Sequence, residues 1–150
     1  MLLLFCGKEI IQNHQKAGVE RMALKYKVVS VDYDGTLEPI DNYPDVGKLN
    51  DFAVEILKEY RKMGGKLILF TCRTDKALEK AVDNCKKCGL EFDAVNKDVE
   101  GVARSWINKH PTSSCSNKVT ADVYIDDRSY DRIGRNIDWY QVKRLILQQE

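Results

Sequence analysis

Short apolar runs alternate along this chain with longer stretches in which apolar residues recur at helical spacing. Val28–Val31 is a short, largely apolar run, typical of a parallel strand that is covered on both faces. Further strands are predicted at 66–73, 92–96 and 121–127. Helices are predicted to contain residues 49–60, 78–85, 102–107 and 139–148.

This alternation of strand and helix predicts an α/β fold. Right-handed crossovers between successive strands give a three-layer, Rossmann-like open parallel sheet with helices on both faces. In such sheets, ligands bind beyond the carboxyl ends of the strands. Side chains that follow the predicted strands are therefore the first candidates for a functional site.

Polar side chains do follow three of the predicted strands. The stretch "SVDYDGTLEP" places Asp32 and Asp34 directly after the first strand. Thr71 lies at the end of the second strand, and Asp126 and Asp127 lie at the end of the fourth. Because these positions share one edge of a parallel sheet, we expect the side chains to converge there.

Length and composition fit one soluble domain. The 150 residues carry a formal net charge of +1, which gives no bulk field that favours nucleic acid or a membrane surface. No apolar run reaches transmembrane length. The five cysteines are expected to be reduced thiols of a cytoplasmic protein. We expect residues 1–24 to be an N-terminal tail or extra segment, and residues 25–150 to form one catalytic domain.

The stretches "DYDGTL", "TCRT" and "VYIDDR" resemble the motifs of the haloacid dehalogenase-like superfamily of phosphohydrolases, in the same order along the chain. The resemblance covers roughly residues 27 to 130 and implies a Rossmann-like catalytic domain. Most members cover their site with a cap domain. Neither the segment after Asp34 nor the segment between Thr74 and Lys118 has room for one, so this chain resembles a small capless member.

The resemblance implies a role for each motif residue. Asp32 would be the nucleophile that forms an aspartyl-phosphate. Asp34 would protonate the leaving oxygen and then activate water. Thr71, Cys72 and nearby backbone amides would hold the phosphoryl oxygens.

A lysine would neutralise charge beside them. Lys118, just before the fourth strand, is preferred for this role, and Lys97 is the alternative. Mg²⁺ is the implied cofactor, held by Asp32, by the backbone carbonyl of Asp34, by Asp126 and, as a further ligand, by Asp127.

Physical chemistry explains why such acids need a cation. Like charges about 4 Å apart repel by roughly 4 kcal/mol at an effective dielectric constant near 20. A divalent ion and a lysine offset that repulsion between a carboxylate nucleophile and a phosphate. Mg²⁺ prefers oxygen ligands. Two neighbouring acids can then divide into a nucleophile and a proton donor. Arg73 is expected to form an ion pair with a neighbouring acid rather than to contact substrate.

The function expected from the sequence is a magnesium-dependent phosphatase. Two alternatives stay open: a non-catalytic binding protein on the same fold, and a receiver-type phosphoacceptor domain, although a receiver places its second acid before the threonine. The expected partner is a phosphorylated small molecule or the exposed phosphate of a larger one. No membrane partner is expected, nucleic acid is not indicated, and a homo-oligomer would be one way to close the site. Cys85 is interpreted as a small core residue rather than as half of a Cys85–Cys88 metal site.

Overall fold

The computed structural model describes residues 23–102, 117–131 and 136–148. Most of the predicted N-terminal segment 1–24 lies outside these ranges. The helix predicted to contain 102–107 also lies outside them, apart from Val102.

Four parallel strands form the sheet, as the sequence predicts. They are β1 (Val28–Val31), β2 (Lys66–Leu69), β3 (Ala94–Val95) and β4 (Val123–Ile125), in the order β3-β2-β1-β4. Every residue of β1 is buried, because β1 lies between β2 and β4 and core residues cover it on both faces of the sheet. This central position explains why β1 is apolar throughout, except at Ser30.

Three helices are described: α1 (Asp51–Lys62), α2 (Asp75–Lys87) and α3 (Trp139–Leu147). Asn50 caps α1, because its side-chain oxygen accepts a hydrogen bond of 3.0 Å from the Ala53 amide. Gly64, with a φ of +98°, follows the end of α1. Within the described ranges, no helix combines the length and the apolar character that crossing a membrane requires.

The main core lies between one face of the sheet and all three helices. Side chains of Val29 and Val31 in β1 pack in one cluster with buried residues of each helix, such as Leu57, Ala81 and Ile146. The other face belongs to a second cluster, formed by the residues Val28, Ile68, Ala94, Val99 and Val119. The expected helices on both faces are thus described on one face only.

The strand order sets where a ligand can bind. The chain proceeds from β1 outward to β2 and β3, then returns to the opposite side of β1 to form β4. A crevice forms at such a reversal, beyond the carboxyl ends of the two strands that flank it. Here those strands are β1 and β4, which precede Asp32 and Asp126 respectively.

The Asn50 cap gives a test of local stability. Asn50→Ala should lower the free energy of unfolding by about 1 kcal/mol because the Ala53 amide loses its partner. Lys48→Ala removes only an exposed ion pair with Asp51, and should change the free energy of unfolding by about 0.5 kcal/mol or less. Urea unfolding of both variants measures the difference, and equal midpoints would contradict the capping role.

Candidate active site

Three carboxylates meet beyond the ends of β1 and β4. Asp32, Asp126 and Asp127 each offer an oxygen, and these oxygens lie within 4.8 Å of one another. The Asp32 amide donates a hydrogen bond of 2.9 Å to the Ile125 carbonyl, so the backbone pairing of the two strands continues to the site. The predicted convergence of the first and fourth strand ends is therefore present in the structure.

Gly35 and Thr36 hold this acidic cluster together. The Thr36 hydroxyl donates a hydrogen bond of 3.3 Å to Asp32 Oδ2 and accepts one of 3.0 Å from the Asp127 amide. Gly35 has a φ of +75°, and a Cβ there would lie 2.4 Å from Asp127 Oδ2. Only glycine allows Asp127 to approach the turn so closely. No role was predicted for Thr36, whose only signal in the sequence is a hydroxyl in the tight turn after Asp32.

The surroundings of Asp32 oppose the ionisation of its carboxyl group. The pKa of Asp32 is raised to about 7, chiefly by burial and also by the negative charges of Asp126 and Asp127, while hydrogen bonds from the Tyr33 amide and the Thr36 hydroxyl act to lower it. A carboxylate at this position is therefore unstable without a compensating positive charge.

Asp34 points to a different partner. Arg73, which is only 1% exposed, donates from Nη2 to Asp34 Oδ1 at 2.7 Å and from Nε to Oδ2 at 2.9 Å. The predicted ion pair of Arg73 with a neighbouring acid is thus confirmed. This pair raises the pKa of Arg73 above its ordinary value. The carboxylate of Asp34 does not belong to the acidic cluster of Asp32.

Two of the predicted phosphate-binding residues, Thr71 and Cys72, lie on the loop between β2 and α2. The Thr71 amide donates a hydrogen bond of 2.8 Å to Asn96 Oδ1, so this amide is already engaged. The Thr71 hydroxyl accepts one of 3.2 Å from the Arg73 amide, which leaves its own proton to donate. Cys72 is exposed beside it.

Of the two candidate lysines, Lys118 shares a groove of about 490 Å³ with Asp126 of the acidic cluster, and its Nζ lies 5.0 Å from the centroid of the Tyr124 ring. Lys97 follows β3, which β2 and β1 separate from β4. The geometry favours Lys118.

Cys85 and Cys88 differ in environment. Cys85 is buried in the main core, and burial raises the pKa of its thiol to about 12, whereas Cys88 is exposed. This arrangement agrees with Cys85 as a core residue, because a reactive or metal-binding cysteine requires the thiolate.

One solved structure is similar to this chain in both sequence and fold. It is a conserved protein from Bacteroides thetaiotaomicron, with 34% sequence identity and a TM-score of 0.65. The match covers 85% of this chain and 93% of that one. The chain belongs to the family of this conserved Bacteroides protein. That protein's name states no activity. No protein-family model matches the chain, and no curated protein is similar to it.

The donor set fits a hard divalent cation. Three carboxylates supply only oxygen ligands, which suit Mg²⁺ and not a soft metal. Their mutual repulsion at Asp32 is the kind of strain that a bound cation relieves. The chemistry of these residues therefore fits the magnesium ion that the sequence motifs imply.

The raised pKa of Asp32 predicts a dependence of stability on pH. A proton on Asp32 stabilises the folded state fully below pH about 4, and this contribution is lost as the pH rises through about 7. The loss is up to about 4 kcal/mol, or a fall in Tm of up to roughly 8–16 °C.

Asp32→Asn should therefore match the wild-type Tm at about pH 3.5 in chelator and exceed it at pH 8. At pH 8, saturating Mg²⁺ should raise the Tm of the wild-type protein and so recover the stability that it loses in chelator. Thermal scans across this range measure both effects, and parallel profiles for the two proteins would refute the assignment.

The contacts of Thr36 predict a role in metal affinity. Thr36→Val removes the hydroxyl that joins Asp32 to the Asp127 amide, and should weaken Mg²⁺ binding by about tenfold or more. Thr74→Val is the matched control, because Thr74 is exposed and makes no side-chain capping bond at α2. Calorimetric titration with Mg²⁺ compares them, and equal affinities would show that Thr36 has no such role.

Proposed function

We propose that the chain is a magnesium-dependent phosphomonoester hydrolase of the haloacid dehalogenase-like superfamily, without a cap domain, which acts through an aspartyl-phosphate intermediate. The observation that carries this proposal is the meeting of Asp32 with Asp126 and Asp127 at the carboxyl ends of two adjacent parallel strands. Asp34, two residues after Asp32, supplies a second acid that is held apart from this cluster.

The first half of the reaction transfers the phosphoryl group to the enzyme. An oxygen of Asp32 attacks phosphorus and forms a P–O bond while the bond from phosphorus to the leaving oxygen breaks. Asp34 gives its proton to that leaving oxygen, so the alcohol departs neutral.

The second half releases phosphate. Asp34, now a carboxylate, takes a proton from a water molecule whose oxygen attacks phosphorus. The bond between phosphorus and the Asp32 oxygen breaks, which restores the Asp32 carboxylate and frees inorganic phosphate. Both acids return to their starting states.

Other residues bind the phosphoryl group and the cation. The Thr71 hydroxyl and the Cys72 amide donate to phosphoryl oxygens, and Lys118 offsets their charge. Asp32, Asp126 and Asp127 would hold Mg²⁺ together with the Asp34 backbone carbonyl. When bound, Mg²⁺ neutralises negative charge at the nucleophile and at the phosphate.

The expected substrate is a phosphate ester that reaches an open site. Only the loop of residues 35–50 lies between Asp34 and α1, so this segment holds no cap. A small phosphomonoester, or the exposed phosphate of a larger molecule, fits such a site. A second copy of the chain would be one way to cover it.

Replacing the nucleophile tests the proposal. Asp32→Asn should lower phosphatase activity by about 10³-fold or more, because an amide does not attack phosphorus. Asp83→Asn changes an exposed acid of α2 and is the matched control for the loss of one charge. Release of inorganic phosphate from a panel of sugar phosphates, nucleotides and phosphopeptides, with and without Mg²⁺, measures the effect.

The outcomes distinguish the three candidate functions. A hydrolase gives Mg²⁺-dependent turnover that Asp32→Asn abolishes and Asp83→Asn preserves. A receiver-type domain would be labelled stably at Asp32 by acetyl phosphate and would cleave no ester. Equal, negligible activity of wild type and Asp32→Asn across the panel would favour the binding protein.

A further inference from the structure

Arg73 is the largest side chain that the fold buries completely among the described residues. A buried guanidinium must place its donors on acceptors, and Arg73 finds them on two segments. Nε and Nη2 donate to Asp34, while Nη1 donates to the carbonyls of Pro44, at 3.3 Å, and Asp45, at 2.8 Å. One side chain thus joins the acid that follows β1 to the loop that precedes α1.

Two tyrosine rings flank the same guanidinium. The Tyr33 ring centroid lies 4.7 Å from Cζ of Arg73 and the Tyr43 ring centroid lies 5.4 Å from it. Tyr33 is fully buried, and its hydroxyl accepts a hydrogen bond of 2.8 Å from Asn84 of α2. Tyr43 belongs to the loop and is 62% exposed. The guanidinium of Arg73 therefore packs against the core on the Tyr33 side and is covered by the loop on the Tyr43 side.

This burial decides what Arg73 can and cannot do. At 1% exposure, it contacts no substrate in this arrangement, so any effect on the reaction must pass through another residue. Stability alone explains the pair poorly, because a buried ion pair is often no better than apolar residues of similar volume. The charged partner of Arg73 is Asp34, which follows Asp32 by two residues and whose side chain is 31% accessible.

The hydrogen bonds to the two Asp34 oxygens are unequal. Oδ1 accepts from Nη2 at 2.7 Å and from Nε at 3.2 Å, whereas Oδ2 accepts only from Nε, at 2.9 Å. Both oxygens are therefore anchored, and Oδ1 accepts one hydrogen bond more than Oδ2. These hydrogen bonds fix the orientation of the whole Asp34 carboxyl group relative to Arg73.

We propose that Arg73 is a positioning residue that anchors Asp34 through both carboxylate oxygens and the loop of residues 39–47 through two carbonyls, so that the Asp34 carboxyl group is held where it meets the leaving oxygen. This inference rests on the proposed hydrolase function. Proton transfer needs a heavy-atom separation of about 2.6–3.2 Å, and a misplacement of about 1 Å lowers the rate about 100-fold. A fixed carboxyl group meets that requirement better than a free one.

Leaving groups of different basicity isolate this role. An alkyl phosphate needs a proton donor because an alkoxide is a poor leaving group, whereas 4-nitrophenyl phosphate releases a stable anion without one. Arg73→Lys keeps the charge but loses the planar set of donors that reaches both Asp34 and the loop. In Arg73→Lys, kcat/KM for glycerol phosphate should fall about 100-fold, and kcat/KM for 4-nitrophenyl phosphate should stay within about fivefold of wild type.

A double variant tests whether Arg73 acts through Asp34. Asp34→Asn alone should show the same selective loss, and adding Arg73→Lys to it should lower kcat/KM for glycerol phosphate little further. Arg61→Lys is the matched control, because Arg61 pairs with Glu91 and Asp93 before β3, away from the site. Its ratio of the two kcat/KM values should equal that of wild type.

Two further measurements guard against misfolding. Tyr43→Leu removes an exposed ring over the guanidinium without disturbing the core, and should lower the glycerol phosphate value selectively by about two- to fivefold. In Arg73→Ala, added guanidinium at non-denaturing concentration should partly restore kcat/KM for glycerol phosphate.

Each outcome has one meaning. Equal losses for both substrates in Arg73→Lys, or additive losses in the double variant, would show that Arg73 only stabilises the fold and would overturn the inference while the hydrolase proposal stands. If wild type cleaves neither substrate in an Asp32-dependent manner, the proposed function fails and this inference fails with it.

Discussion

The pairing of β1 with β4 is the constraint on which the rest of the site depends. Val29, Ser30 and Val31 lie opposite Val123, Tyr124 and Ile125 in parallel register, so both strands end at the same level. The next residues, Asp32 and Asp126, therefore leave the sheet side by side. Their proximity results from a backbone ladder between two largely apolar strands, and not from any attraction between the acids.

This forced proximity raises the free energy of the ionised site. The pKa of Asp32 rises to about 7 because burial, and then the charges of Asp126 and Asp127, oppose its ionisation. A fold retains such an arrangement most readily where a cation binds and offsets the repulsion. Gly35 and Thr36 bring Asp127 close to Asp32 through a turn that has no room for a Cβ and a hydroxyl that contacts both sides.

Asp34, unlike Asp32, has a positively charged partner, which is Arg73. It holds this second acid away from the cluster, in a pair that the core closes on one side and the loop of residues 39–47 covers on the other. Two acids only two residues apart thus have environments of opposite electrostatic character. In one the neighbouring charges are negative, and in the other the partner is a buried cation.

The sequence alone was sufficient to predict the strands, the described helices and the parallel sheet, because hydrophobic periodicity is a local property that burial imposes on each element. It also identified the strand ends of Asp32 and Asp126 as a shared edge, and Arg73 as the partner of a nearby acid. Helices on both faces of the sheet stay a prediction, since the described helices cover one face.

Only the tertiary structure decided which groups meet. Thr36 and Asp127 are 91 residues apart in the sequence, and Asp34 and Arg73 are 39 residues apart. Contacts between such distant positions leave no periodic pattern in the sequence. The engagement of the Thr71 amide by Asn96, and the groove that Lys118 shares with Asp126, likewise depend on how loops from separate strands pack. A residue pattern specifies which side chains leave the sheet at its carboxyl edge. The hydrogen bonds between loops, which depend on distances of a few tenths of an ångström, are set only when the whole chain has folded.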